Sequence, residues 1–162
     1  MSTLGSYHAM IVSKYFITIN DFINLELVCK KFRGNMEKFH FNPIPLNSKT
    51  LGYFPNIETL HLWNKEDENF GNGFLIKFNK NHVYNGMYED VNKNRVYVPK
   101  RMFYQIVVWF DVDYVTINDE NTSQNIKFKN IIYTKNNRKQ FGNNIPLNVT
   151  SIGFRCFNQC YS

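Results

Sequence analysis

The sequence predicts an α+β chain in three parts: a helical segment over residues 1–47, a β-rich region over 48–144, and the incomplete first coil of a solenoid over 145–162. Three observations carry this expectation. Apolar residues between Phe22 and Phe39 step by threes and fours, the period of one helix face. Between Thr59 and Thr134 they gather into short β-branched and aromatic runs separated by Asn-rich stretches. The last stretch, I-P-L-N-V-T-S-I-G-F-R-C-F-N-Q-C from Ile145 to Cys160, joins a short strand to a glycine bend and a compact return.

In the helical segment, Tyr7, Met10, Ile11, Tyr15 and Phe16 recur at spacings compatible with a first helix. Thr18, followed three residues later by Asp21, is a capping-box-like start for a second, and it places a carboxylate at the positive end. The stripe Phe22, Leu25, Cys29, Phe32, Met36 and Phe39 then marks the buried side, with Gly34 as a point of weakness. Pro43 and Pro45 end helical structure and set the boundary at residue 47.

Ser48 to Tyr53 predicts a short helix stopped by Pro55, and the alternation around Ile57, Leu60 and Leu62 predicts a strand over Thr59–Trp63. Asn64 to Gly73 is acidic and glycine-bearing, which predicts a loop. Its Glu66, Asp67 and Glu68 are consecutive, so they lack the alternating ligand spacing of a calcium loop. Further strands are expected at Phe74–Phe78, Val96–Val98, Gln105–Phe110, Asp113–Ile117 and Ile126–Thr134. A polar loop fills Asn118–Asn125, and a helical turn over Asn136–Phe141 closes at Gly142.

In the final stretch Pro146 removes a backbone donor, which limits the strand to about Val149–Ile152. Gly153 is expected to bend the chain through positive φ, and Cys156 and Cys160 fall on one side of a tight turn. Such a coil cannot bury its apolar edge alone.

The pattern V-T-S-I-G-x-x-C-F-x-x-C, held by Val149, Thr150, Ser151, Ile152, Gly153, Cys156, Phe157 and Cys160, resembles the BspA-type (treponemal-type) leucine-rich-repeat proteins, especially their large protozoan group. Asp21 to Phe32, Phe39 to Leu46 and Phe54 to Leu62 resemble the region that precedes the repeats in that group. The resemblance implies a non-enzymatic protein-binding module. Residues 48–144 would act as the N-terminal cap, and Val149, Ile152, Phe157 and Cys160 would stack the next coil. The residues that would complete the coil do not follow Ser162, so an open edge near Val149–Ile152 and self-association through it are expected.

Val28 to Phe32, V-C-K-K-F, also resembles the F-box, a helical module that docks on a Skp-type ubiquitin-ligase adaptor, although the usual Leu-Pro opening is missing near Leu4. On that alternative reading Leu25, Val28, Cys29 and Phe32 would meet the partner. The bland reading of the same stripe is a helix packed on its neighbours.

Composition supports a folded chain: 43% of residues are hydrophobic and 17% aromatic, with 15 Phe and 10 Tyr to build a core. The net charge of +6 invites a polyanion, but the basic residues are dispersed and no nucleic-acid-reading motif accompanies them, which argues against nucleic acid. Cys29, Cys156 and Cys160 are too few, and His8, His40, His61 and His82 too scattered, to form a zinc set. No secretory leader or apolar run long enough to span a bilayer is evident, so reduced thiols and a cytoplasmic setting are expected. Neither a G-x-S-x-G elbow, a P-loop, H-E-x-x-H nor G-x-G-x-x-G occurs, so no catalytic, cofactor-binding or metal residues are assigned.

Overall fold

In a computed structural model, which describes residues 4–72, 87–88, 96–97, 101–118 and 125–158, the chain enters its fold through two short helices, α1 (Ser6–Ser13) and α2 (Ile19–Val28). The start of α2 follows from its sequence. The Thr18 hydroxyl accepts the Asp21 N–H at 3.4 Å, while the Asp21 carboxylate accepts the Thr18 N–H at 2.9 Å. That bond from the Thr18 backbone, then one from its side chain, holds the Asp21 carboxyl below the usual carboxylate range. In α1 the buried residues are Ala9 and Ser13, whereas Tyr7 and, beyond the helix, Tyr15 are exposed. Ser13 is inside because its hydroxyl accepts a hydrogen bond from the buried Asn35 amide at 2.9 Å.

The apolar stripe that points to a helix through Phe39 is broken at Cys29, which is extended (φ −154°, ψ 138°). Two single 3-10 turns follow, Lys30–Phe32 and Met36–Lys38, with Gly34 at φ 70° between them. The Glu26 carboxylate accepts the Met36 N–H at 2.9 Å and draws the returning chain against α2. This reversal brings Phe22, Met36 and Phe39 into one core while leaving Cys29 outside it. A straight helix would have kept all of them in line.

The remaining elements are β1 (Thr59–Leu62), β2 (Met87–Tyr88), β3 (Val96–Tyr97), β4 (Gln105–Asp113), α3 (Tyr114–Ile117), β5 (Ile126–Tyr133), α4 (Lys135–Phe141) and β6 (Ser151–Ile152). A single 3-10 turn, Leu51–Tyr53, precedes β1 where the sequence predicts a short helix. β2 and β3 pair antiparallel with each other. The other four strands form a parallel sheet in the order β1-β4-β5-β6. A parallel bridge from Phe41 to Thr59 continues the ladder beyond β1, so five extended segments lie side by side in chain order. Helices together with a parallel sheet make the chain a mixed α and β protein.

Parallel neighbours cannot be joined by a tight hairpin, and α3 lies in the crossing from β4 to β5 and α4 in the crossing from β5 to β6. Of residues 113–117, expected as a strand from their β-branched content, Asp113 ends β4 and Tyr114–Ile117 instead form α3. The Asp113 carboxylate accepts the Val115 N–H at 3.1 Å, and this N-cap turns the chain off the sheet and buries Tyr114. Local propensity for strand is overridden by a cap and a core contact. Asp113 also accepts from the buried Asn137 amide at 2.6 Å and from the Thr134 hydroxyl at 3.1 Å, which ties the start of α3 to the capping box of α4.

The main core packs Phe22, Phe39 and Phe54 from the front segment against Leu60, Leu62, Ile106, Val108 and Val112 from the sheet. Phe22 is its hub, edge-on to Phe16, Phe39 and Phe54 at 5.1, 5.7 and 5.2 Å. A second cluster joins Tyr114, Ile131, Tyr133 and Cys156, with Val149 and Phe157 packed on it. Gly153 does not take positive φ as the sequence suggests; Arg155 does, at 53°. Gly153 matters for space instead, because a Cβ there would sit 3.4 Å from Ile132 Cγ2, the Thr134 Cα and the Tyr133 carbonyl. The strand expected at Phe74–Phe78 lies outside the described residues, and so does Cys160. Among the described residues no helix is long and apolar enough to cross a membrane.

Candidate functional site

Strand pleating sorts the sheet residues. Ile106, Val108, Phe110 and Val112 of β4 serve the main core, so Val107 and Trp109 point to the opposite face. On that face His61 of β1 lies in register with Val107, and Val107 with Lys127 of β5. The alternation that buries Leu60 and Leu62 likewise turns His61 outward.

The side chains of this face form a row across the strands. Phe41 stacks on His61 (5.2 Å, 17° between planes), and His61 meets Trp109 at 5.8 Å and Trp63 at 5.7 Å. Lysines close both ends: the Lys14 ammonium lies 5.8 Å from the Phe41 ring centre, and that of Lys129 lies 5.3 Å from Trp109. Val107, between the His61 and Lys127 positions, is buried, so this face has an apolar floor as well as a ring-lined surface. A parallel sheet normally has both faces covered, and here the chain's own rings do part of that covering.

Electrostatics follow from the arrangement. Partial burial, and then the positive charge of Lys129, hold the His61 imidazole below its ordinary pKa of 6.5 and therefore neutral near pH 7. Its backbone is locked by the buried Asn42, whose side-chain oxygen accepts the His61 N–H at 2.6 Å and whose amide donates to the His61 carbonyl at 3.0 Å. The face can grip apolar and anionic groups. It presents no nucleophile paired with a base, and among the described residues no group of three or more His, Cys, Asp or Glu could hold a metal ion.

The residues singled out by sequence lie elsewhere. Leu25 and Phe32 are half-buried, while Val28 (77% exposed) and Cys29 are on the surface beside the exposed Leu27. Val149 and Phe157 pack on the second cluster, whereas Ile152 is exposed on β6. The row of rings was not evident from the chain, because Phe41, His61, Trp109 and Lys129 meet only once the strands are in register. The available signal was their outward positions in the runs Thr59–Trp63, Val107–Trp109 and Lys127–Lys129.

Compared with protein-family models, characterised proteins and solved structures, the chain finds no match.

Proposed function

We propose that the chain is a non-enzymatic protein–protein interaction module, the N-terminal capping region of a leucine-rich-repeat protein of the BspA-like type. The observation that carries the reading is the sheet order: extended segments at Phe41, β1, β4, β5 and β6 lie parallel and in chain order, as stacked coils would. The two ends of this ladder differ. Beyond β1 the Phe41 segment lies along the sheet's end, with the His40 carbonyl accepting the Glu58 and Thr59 N–H groups at 2.9 Å each. Beyond β6 no strand follows among the described residues. One covered end and one open end suit a cap.

Coils added after Ser162, written in the wording of Ile145–Cys160, test this reading. A cap should carry them into one cooperative unfolding transition whose midpoint rises with each coil. Added coils that stay disordered, or that melt in a separate earlier transition, would remove the proposal.

An F-box-like adaptor is the second reading, favoured by the exposure of Leu27, Val28 and Cys29 at the end of α2. Capture of a Skp-type adaptor by the intact chain, lost in Leu25→Asp and in Val28→Asp, would support it. The Val28 variant is the cleaner probe because its side chain is not part of the core. No adaptor retained by the intact chain rules this reading out.

A further inference from the structure

We infer that the strip running from Lys14 through Phe41, His61 and Trp109 to Lys129 is a docking surface for an extended, acidic polypeptide segment. The inference stands on this face alone and does not depend on the sheet being the start of a coil stack. Three features point to that occupant.

The first is charge. Both ends of the apolar row are lysines, the exposed Lys127 adds a third cation on β5, and the chain as a whole carries +6. Asp111, exposed two residues beyond Trp109 on β4, bounds the cationic stretch on one side. A carboxylate can pair with either ammonium while leaving the lysine stem against its ring.

The second is length. From the Phe41 segment to β5 the row crosses three inter-strand gaps, roughly 14 Å at the usual strand spacing. An extended peptide rises about 3.3 Å per residue and presents every second side chain on one face. Acidic residues about four apart would therefore reach both ends, with an apolar residue between them against the ring edges of His61 and Trp109.

The third feature separates a peptide from single-stranded nucleic acid, the other ligand that rings and lysines suggest. Base binding needs open ring faces as stacking platforms. Phe41 is already stacked on His61 and carries Lys14, and Trp109 already carries Lys129, so Phe41, His61 and Trp109 each have a ring face engaged within the protein.

Both tryptophans of the chain, Trp63 and Trp109, meet His61 in this strip, so intrinsic fluorescence reports on the site directly. The full chain is titrated with a random copolymer of glutamate and tyrosine, and separately with oligothymidylate of matched charge. The expected result is saturable tryptophan quenching by the copolymer. Affinity should fall at least about tenfold in Lys14→Glu with Lys129→Glu, and stay within about twofold in Lys30→Glu with Lys31→Glu, which carries the same change of net charge. If the reversed pair fails to fold, Lys14→Gln with Lys129→Gln removes the charge alone and should still weaken binding. Absence of quenching, equal losses in the two lysine pairs, or tighter binding of oligothymidylate with the same loss at Lys14 and Lys129 would each overturn the proposal.

Discussion

The Asn42 side chain satisfies both backbone groups of His61, accepting its N–H at 2.6 Å and donating to its carbonyl at 3.0 Å. A buried asparagine thus does at residue 42 what a neighbouring strand would do, where the Phe41 bridge to Thr59 has ended. Thr150 uses the same device near the other end of the sheet: its hydroxyl accepts the Ile131 N–H at 2.7 Å and donates to the Ile131 carbonyl at 3.1 Å. Buried backbone groups need partners, and polar side chains supply them where the ladder is incomplete.

Asn42→Ala leaves the His61 N–H and carbonyl without these partners, and the expected cost is about 2–4 kcal/mol. Asn42→Asp keeps an acceptor for the N–H but sets a carboxylate against the His61 carbonyl, so it should not rescue the loss. Urea unfolding followed by circular dichroism measures both, with an unchanged slope expected if only native stability has moved. Wild-type stability in Asn42→Ala would show that water replaces the side chain.

Phe22 touches three other rings and is fully buried. Phe22→Ala should cost about 3–5 kcal/mol, a large share of the roughly 5–15 kcal/mol that holds a typical domain. Phe22→Leu should cost less. Because Phe54 and Phe39 belong to the same cluster, losses at Phe22 and Phe54 should fail to add. Additive losses would mean that the Phe22 and Phe54 rings are not energetically coupled in one cluster.

Local chemistry was legible in the chain, and long-range geometry was not. Thr18 with Asp21 announces the start of α2 because a capping box is complete within four residues. Alternation predicts strands over Thr59–Trp63 and Ile126–Thr134, and each is one residue shorter in the structure, Thr59–Leu62 and Ile126–Tyr133. The end of α2 did not, since the stripe past Val28 keeps helical spacing while the chain itself turns back at Cys29. Val115, Thr116 and Ile117 carry strand propensity but follow Asp113, a cap, and the cap prevails. The ring row was the least readable, because Phe41, His61, Trp109 and Lys129 are far apart in sequence and adjacent only across the register of a parallel sheet.

The open side of β6 makes a prediction about association. Ser151 and Ile152 are exposed, and among the described residues β6 pairs with β5 alone. An unpaired strand edge with an apolar residue on it favours edge-to-edge contact between chains, and a lysine on such an edge discourages it. Sedimentation velocity should show association growing with concentration for the intact chain and markedly reduced for Ile152→Lys. The substitution is at a position 55% exposed, so stability should change by no more than about 0.5 kcal/mol. Concentration-independent monomer in the intact chain would show that the edge is protected.

His61 gives the fold a pH dependence whose sign is set by burial. Partial burial, and then Lys129, hold the imidazole below its ordinary 6.5, so the unfolded chain binds the proton more readily than the native one. The stability linked to this group is fully present above about pH 6.5 and is lost as the pH falls toward the lower native value. Urea titrations at pH 7.5 and 5.5 should therefore show a loss on acidification. His61→Phe keeps a ring between Phe41 and Trp109 but cannot take up a proton, and it should reduce that loss. Raising ionic strength weakens the Lys129 contribution more than the burial one, so part of the difference should survive in high salt. An identical pH dependence in wild type and His61→Phe would place the imidazole in water rather than in the ring row.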